Sequence, residues 1–141
     1  MITITNSPEE TYGFGKQLVG LFKGGDILLL NGELGTGKTT LIKGLAVGLN
    51  IADEITSPTF TLMHNYTAFN HTIKKLVHID TYRLKDEQEL KDAGIADYLC
   101  EKDSLCVIEW PEKLKGLLRN KKTFIITIEH LEENQRKITM E

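Results

Sequence analysis

Cysteine and arginine are scarce in this sequence, and each scarcity excludes something. The two cysteines, Cys100 and Cys106, stand six positions apart with no C-x-x-C and no matching histidine pair. That spacing speaks against a zinc framework or a disulfide scaffold and fits a reduced compartment. Arginine occurs only at Arg83, Arg119 and Arg136, too few for the arginine-bearing lid that P-loop kinases use to close over an acceptor. Positive charge is also in deficit, the net charge being −3 at pH 7. Tight non-specific binding to nucleic acid through a broad basic face, which needs many phosphate contacts, is therefore not expected. No apolar run approaches the length that crosses a bilayer, and the opening residues lack a basic segment followed by an apolar stretch. The expectation is a soluble cytoplasmic protein with no membrane contact. Its 141 residues are enough for a real core without metal or disulfide, and a single domain over residues 1–141 is expected.

What is present centres on Gly32-Glu33-Leu34-Gly35-Thr36-Gly37-Lys38-Thr39. It reads G-x-x-x-x-G-K-S/T, the phosphate-binding P-loop. An apolar run, Ile27 to Leu30, leads in, and an amphipathic run from Leu41 leads out. A buried strand followed by a helix is what allows backbone N–H groups to converge on an anion. The glycines permit close phosphate approach, Lys38 supplies a point charge for the β- and γ-phosphates, and the Thr39 hydroxyl suits Mg²⁺.

Around this loop the pattern reads in order. Ile2 to Thr5 alternate like a short strand, and Ser7-Pro8-Glu9-Glu10 is a capping box with proline at the first helical position. A helix is predicted from there to about Phe22, and a stop at Gly48-Leu49-Asn50 ends the helix after the P-loop. Thr59 to Tyr66 and Ile73 to Asp80 read as strands joined by a turn over Ala68 to His71. A short acidic helix follows at Asp86 to Leu90, with another turn or two from Ile95 to Glu101. Leu105 to Ile108 is a second buried strand, Pro111 opens a helix predicted to run through Leu114, Leu117 and Leu118, and Thr123 to Glu129 and Arg136 to Met140 close the chain as strands. Continuous apolar strands followed by helices imply a parallel core, and the hairpins imply antiparallel additions. The fold class predicted is α/β, a P-loop NTPase-like mixed sheet with parallel core strands, antiparallel marginal strands and flanking helices.

A bound triphosphate needs a carboxylate near its Mg²⁺, placed at the end of a strand beside the P-loop strand. Two apolar runs end in such a group, at Asp80 and at Glu109. His78, a histidine in a strand, is read as structural in preference to a general base or an aid to a neighbouring ligand. Ser57-Pro58-Thr59-Phe60 lies where a loop sensing the γ-phosphate would be, and Thr59 has the hydroxyl such a loop uses. Trp110 is left open between the nucleotide rim, a partner surface and the core.

Taken together, the P-loop, Ser57 to Phe60, His78-Ile79-Asp80-Thr81-Tyr82-Arg83-Leu84 and Glu109-Trp110-Pro111-Glu112 resemble the TsaE family, formerly YjeE. The likeness covers the whole chain in motif order. It implies an ATPase component of bacterial tRNA threonylcarbamoyladenosine (t6A) biosynthesis, acting with the TsaB–TsaD complex and meeting tRNA only indirectly through it. The cofactors implied are ATP and Mg²⁺. In the family pattern the loop over Glu33, Leu34, Gly35, Thr36, Gly37, Lys38, Thr39 and Thr40 holds phosphate, and Thr39 and Glu109 hold the metal. Asp80 counts with them among the metal-binding residues and is also the catalytic carboxylate, working with Lys38, and Thr59 belongs to the switch-like loop. Thr11 and Arg136 correspond to positions near the nucleotide. Rival readings are a small-molecule P-loop kinase and a non-catalytic nucleotide-binding adaptor. A guanine-specific switch protein is disfavoured because Asn120-Lys121-Lys122-Thr123 lacks the aspartate of N-K-x-D.

Overall fold

The computed structural model describes residues 1–33, 35–56, 63–82, 86–92, 94–99 and 101–141. Within them seven strands form one sheet: β1 (Ile2–Thr5), β2 (Ile27–Asn31), β3 (Met63–Thr67), β4 (Lys75–Asp80), β5 (Ser104–Glu109), β6 (Thr123–His130) and β7 (Arg136–Met140), in the order β1-β7-β6-β2-β5-β4-β3. The P-loop strand β2 runs parallel to both neighbours, β5 and β6, and β4 runs parallel to β5. Antiparallel pairs finish both edges, β1 with β7 and β7 with β6 on one side, β3 with β4 on the other. The predicted division into a parallel centre and antiparallel margins is what the chain adopts. Leu28, Leu29, Leu30, Val77, Ile79, Val107 and Ile108 are buried, as strands covered on both faces require.

Two helices cover one face. The first, α1 (Pro8–Leu18), starts as its sequence dictates: the Ser7 hydroxyl accepts the Glu10 N–H at 3.1 Å, and the Glu10 carboxylate reaches back to the Asn6 N–H at 2.8 Å. The second, α2 (Lys38–Gly48), follows the P-loop. They pack against each other at backbone distance. A Cβ on Gly15 would stand 2.3 Å from the Leu41 carbonyl oxygen, and one on Gly44 would stand 2.0 Å from that of Tyr12. The glycines are thus required by the approach of the helices. The core beneath is built from Leu18, Leu41, Ile42, Leu45 and the inward residues of β2, β4, β5, β6 and β7.

The opposite face is covered by shorter pieces, a 3-10 turn at Ile95–Tyr98 and another at Pro111–Leu114, with the one-and-a-half-turn α3 (Glu87–Asp92) against the first of them. The helix predicted to continue through Leu117 and Leu118 stops at Leu114. Gly116 lies in the stretch that would have to continue it, at a helix cost of about 1 kcal/mol, and Leu114 is already fully buried against Ile27, Leu29 and Ile108. The predicted turn over Ala68 to His71 is present, closed by the Ala68 N–H donating to the Lys74 carbonyl at 2.9 Å. The Ser57 to Phe60 loop and the first residues of the strand predicted from Thr59 lie outside the described residues. Among the described residues no helix is long and apolar enough to cross a membrane.

Candidate functional site

Because side chains alternate along a strand, Leu76, His78 and Asp80 of β4 share one face, and Leu105, Val107 and Glu109 of β5 share the same one. That is the face covered by α1 and α2. The carboxyl ends of β2, β4 and β5 therefore bring Asp80 and Glu109 to the start of α2, where Lys38 and Thr39 stand. In register Asp80 is paired with Glu109. A cavity of about 330 Å³ opens there, lined by Lys38, Thr39, Thr40, Asp80, Glu109 and Trp110 with Gly35 and Gly37.

The P-loop turn is held by its own groups. The Thr36 hydroxyl donates to the Glu33 carbonyl at 2.7 Å, and Gly37, with φ of 103°, makes the left-handed entry into α2 that a side chain would oppose. Lys38 is buried, and its Nζ donates to the Gly32 carbonyl at 2.5 Å and lies 3.9 Å from the centre of the Trp110 ring. Burial lowers the Lys38 pKa, opposed by the negative charges of Glu109, Asp80 and Glu112. The ammonium thus rests between the Gly32 carbonyl and the Trp110 ring, within the field of three carboxylates.

The two carboxylates are held differently. Asp80 Oδ1 accepts the Tyr82 N–H at 2.9 Å, and its pKa is raised, mainly by burial and secondarily by the charge of Glu109. Glu109 is buried, and its Oε2 lies 2.6 Å from Nε2 of the buried His78. The Thr81 hydroxyl donates to the carbonyls of Glu109 and Trp110, fixing the left-handed turn at Trp110 (φ 60°). Sequence reasoning left His78 as a structural residue. The signal that reveals it is strand parity, which puts it on the face of Asp80 and Glu109.

A second, smaller cavity of about 130 Å³ adjoins the loop on the α1 side and is lined by Thr11, Gly35, Thr36, Gly37, Thr40 and Arg136, with Pro8 and Asn134. Thr11 and Arg136, 125 positions apart in the chain, come together here. Arg136 Nε donates to the Thr36 carbonyl at 2.9 Å, and the Thr11 hydroxyl shares a 2.7 Å hydrogen bond with that of Thr5. Glu33 instead lines a different cavity, with Gly32, Trp110, Glu112 and Glu129. Of the other expected residues, Leu34 and Thr59 lie outside the described ones.

The family profile for "Threonylcarbamoyl adenosine biosynthesis protein TsaE" matches residues 5–138. The chain belongs to the TsaE family. Among curated relatives, the tRNA threonylcarbamoyladenosine biosynthesis protein TsaE of Bacillus subtilis is 38% identical over 135 residues, spanning 96% of this chain and 81% of that one. The TsaE protein of Treponema pallidum is 37% identical over 140 residues and the match spans 99% of both. The crystal structure of Bacillus subtilis YdiB superposes with a TM-score of 0.79 at 31% identity, covering 99% of this chain and 83% of that one. Membership of TsaE places the chain in tRNA t6A biosynthesis, and its mixed P-loop sheet is the fold of that structural neighbour.

The donor set can also be tested against a metal. Among the described residues there is no group of three or more His, Cys, Asp or Glu side chains that could cage an ion. Two carboxylates and a threonine hydroxyl around one cavity instead match a hard cation that keeps waters and shares its coordination with phosphate, as Mg²⁺ does. Those donors fit Mg²⁺ held together with the phosphates of a nucleotide.

Proposed function

We propose that this TsaE-family chain is a Mg²⁺-dependent ATPase of tRNA t6A biosynthesis, weak alone and completed by docking on the TsaB–TsaD complex in the cytoplasm. The observation that carries the reading is the convergence of Lys38, Thr39, Asp80 and Glu109 on one cavity at the mouth of the P-loop. Loop amides and Lys38 bind the phosphates, and Thr39 and Glu109 hold Mg²⁺ with Asp80 beside them. Bound there, Mg²⁺ neutralises charge that develops on the phosphoryl oxygens. Asp80, its basicity raised by burial, orients the attacking water and accepts its proton. Thr11 and Arg136 line the adjoining cavity and take the nucleoside end.

Weakness in isolation follows from what the site has to work with. Among the described residues, which do not include Arg83, no arginine lines the phosphate cavity. Arg136 is engaged with the carbonyls of Thr36, Glu133 and Gln135, and Arg119 lines a separate cleft beside Leu118 and Ile125. A partner surface that covers the cavity and contacts Thr59 would exclude bulk water, and its stimulation is limited by its preference for the competent state. tRNA is then met through the complex. The test is phosphate release by the chain alone, with TsaB–TsaD, and with TsaB–TsaD and Thr59→Ala, each with and without Mg²⁺. Release should be slow alone, rise with the partners, fall with the variant and vanish without metal. Equal turnover with and without TsaB–TsaD, or stimulation by tRNA alone, would overturn the partner-completed site.

A further inference from the structure

The histidine behind Glu109 is not accounted for by packing. Its ring is 1% exposed and lies between the apolar neighbours Val77 and Ile79, yet it makes a 2.6 Å contact with a carboxylate that is itself nearly sealed. As a stability device this is a poor choice, because two polar groups must be desolvated and a well-packed apolar pair of similar volume usually does as well. The pairing even leaves a debt, since among the described residues Nδ1 of His78 is buried without a hydrogen-bond partner. What the contact does achieve is orientation. A carboxylate can only accept, so Nε2 carries the hydrogen, and Oε2 of Glu109 is occupied by it. The remaining oxygen is left for a cation in the cavity that Glu109 lines.

The main chain under Glu109 is fixed from the same strand end. Both the amide and the hydroxyl of Thr81 donate to the Glu109 carbonyl, at 3.2 and 3.0 Å. Side chain and backbone of one residue in β5 are thus clamped by two residues at the end of β4. We propose that His78 is the positioning residue of the metal site: its imidazole, donating from Nε2, locks the Glu109 carboxylate in the orientation that presents its other oxygen to the divalent cation, while Thr81 fixes the backbone beneath. This deepens the reading of Glu109 as a Mg²⁺ ligand and rests on it. Groups that orient a ligand in this way govern affinity for the ion by about 10- to 100-fold without touching it.

The experiment titrates Mg²⁺ into the full chain at a fixed concentration of a non-hydrolysable ATP analogue, with binding followed by calorimetry, for wild type, His78→Leu and His78→Gln. Glutamine places an amide N–H where Nε2 stands but cannot titrate, so it separates a donor from an acid or base. His78→Leu should raise the Mg²⁺ concentration at half-effect by about tenfold or more and leave metal-free binding of the analogue unchanged, and His78→Gln should recover most of the loss. An unchanged Mg²⁺ requirement in a folded His78→Leu variant overturns the inference, as does a glutamine variant no better than leucine, or an equal loss of metal-free affinity. Wild-type binding that ignores Mg²⁺ would be a different result, removing the proposed metal site and this inference with it. Should His78→Leu fail to fold, nitrogen NMR of the imidazole in the wild-type chain decides: an Nε2-protonated ring whose proton signal moves in Glu109→Gln supports the proposal, and an Nδ1-protonated ring ends it.

Discussion

Asp80 and Glu109 are partners in register at the ends of adjacent parallel strands, yet their surroundings differ. Glu109 is 4% exposed and is gripped by His78 through its side chain and by Thr81 through its carbonyl. Asp80 is only partly buried and accepts one main-chain N–H from Tyr82. Burial and the neighbouring charge of Glu109 raise its pKa, against the pull of that N–H, His78 and Lys38. Two acids set side by side with unlike environments are a familiar way to divide labour in a site. The clamped one suits a fixed ligand, and the less restrained one suits handling a proton.

The largest effect belongs to Glu109→Gln, which keeps shape and removes the charge. With TsaB–TsaD present, the single-turnover rate of ATP hydrolysis should fall by about 10³-fold, roughly 4 kcal/mol of barrier. Asp80→Asn should cost about 10²-fold in the same assay, as loss of a general base does, with Mg-ATP affinity retained. If both variants hydrolyse at the wild-type rate, neither carboxylate has the role given to it. If they lose rate and affinity in the same proportions, the two acids do one job.

Lys38→Ala removes the cation whose field both acids feel. Calorimetry should show Mg-ATP affinity reduced by about 2 kcal/mol, roughly thirtyfold, the worth of a charge-assisted hydrogen bond. Unchanged affinity in a folded variant would detach the loop from the phosphates. The smallest effect is on stability. Since folding raises the Asp80 pKa, the native state binds a proton that the unfolded chain gives up, and ionised Asp80 is a cost to the fold. The cost is absent below the ordinary aspartate pKa and grows as pH rises through the elevated native value. Without nucleotide, Asp80→Asn should therefore melt above wild type at neutral pH, with the gap closing as the pH is lowered into the ordinary aspartate range. A gap that widens on acidification would reverse the sign assigned to Asp80.

How much of this was legible in the sequence follows the distance over which each feature is decided. The P-loop, the cap at Ser7 and the apolar runs of β2, β4 and β5 are local patterns, and they were read from spacing alone. So was the pairing of a carboxylate with the end of each apolar run, at Asp80 and Glu109. The mixed topology followed from hairpins flanking continuous strands. The meeting of Thr11 with Arg136 depends on α1 lying on α2 and on β1 pairing with β7, contacts between the two ends of the chain that no window contains. Only the resemblance to TsaE indicated it. The His78–Glu109 contact is non-local too, since it spans 31 positions and needs both the parity of two strands and their register. The stretch after Pro111 misled through its own regularity. Leucines at helical spacing suggested a longer helix than the chain forms, and burial of Leu114 beside a glycine-containing segment ended it early.

The contact between α1 and α2 has a consequence of scale. Thr11 rides on α1, while Lys38, Thr39 and Thr40 ride on the first turn of α2, so the separation of the helices sets the span between the two cavities that adjoin the P-loop. With Gly15 and Gly44 against carbonyl oxygens of the facing helix, that span is at its minimum and has no slack. The helix pair works as a caliper with its jaws closed. Adding a single methyl group at either glycine would open it, changing the spacing of those cavities from a point that lines neither of them.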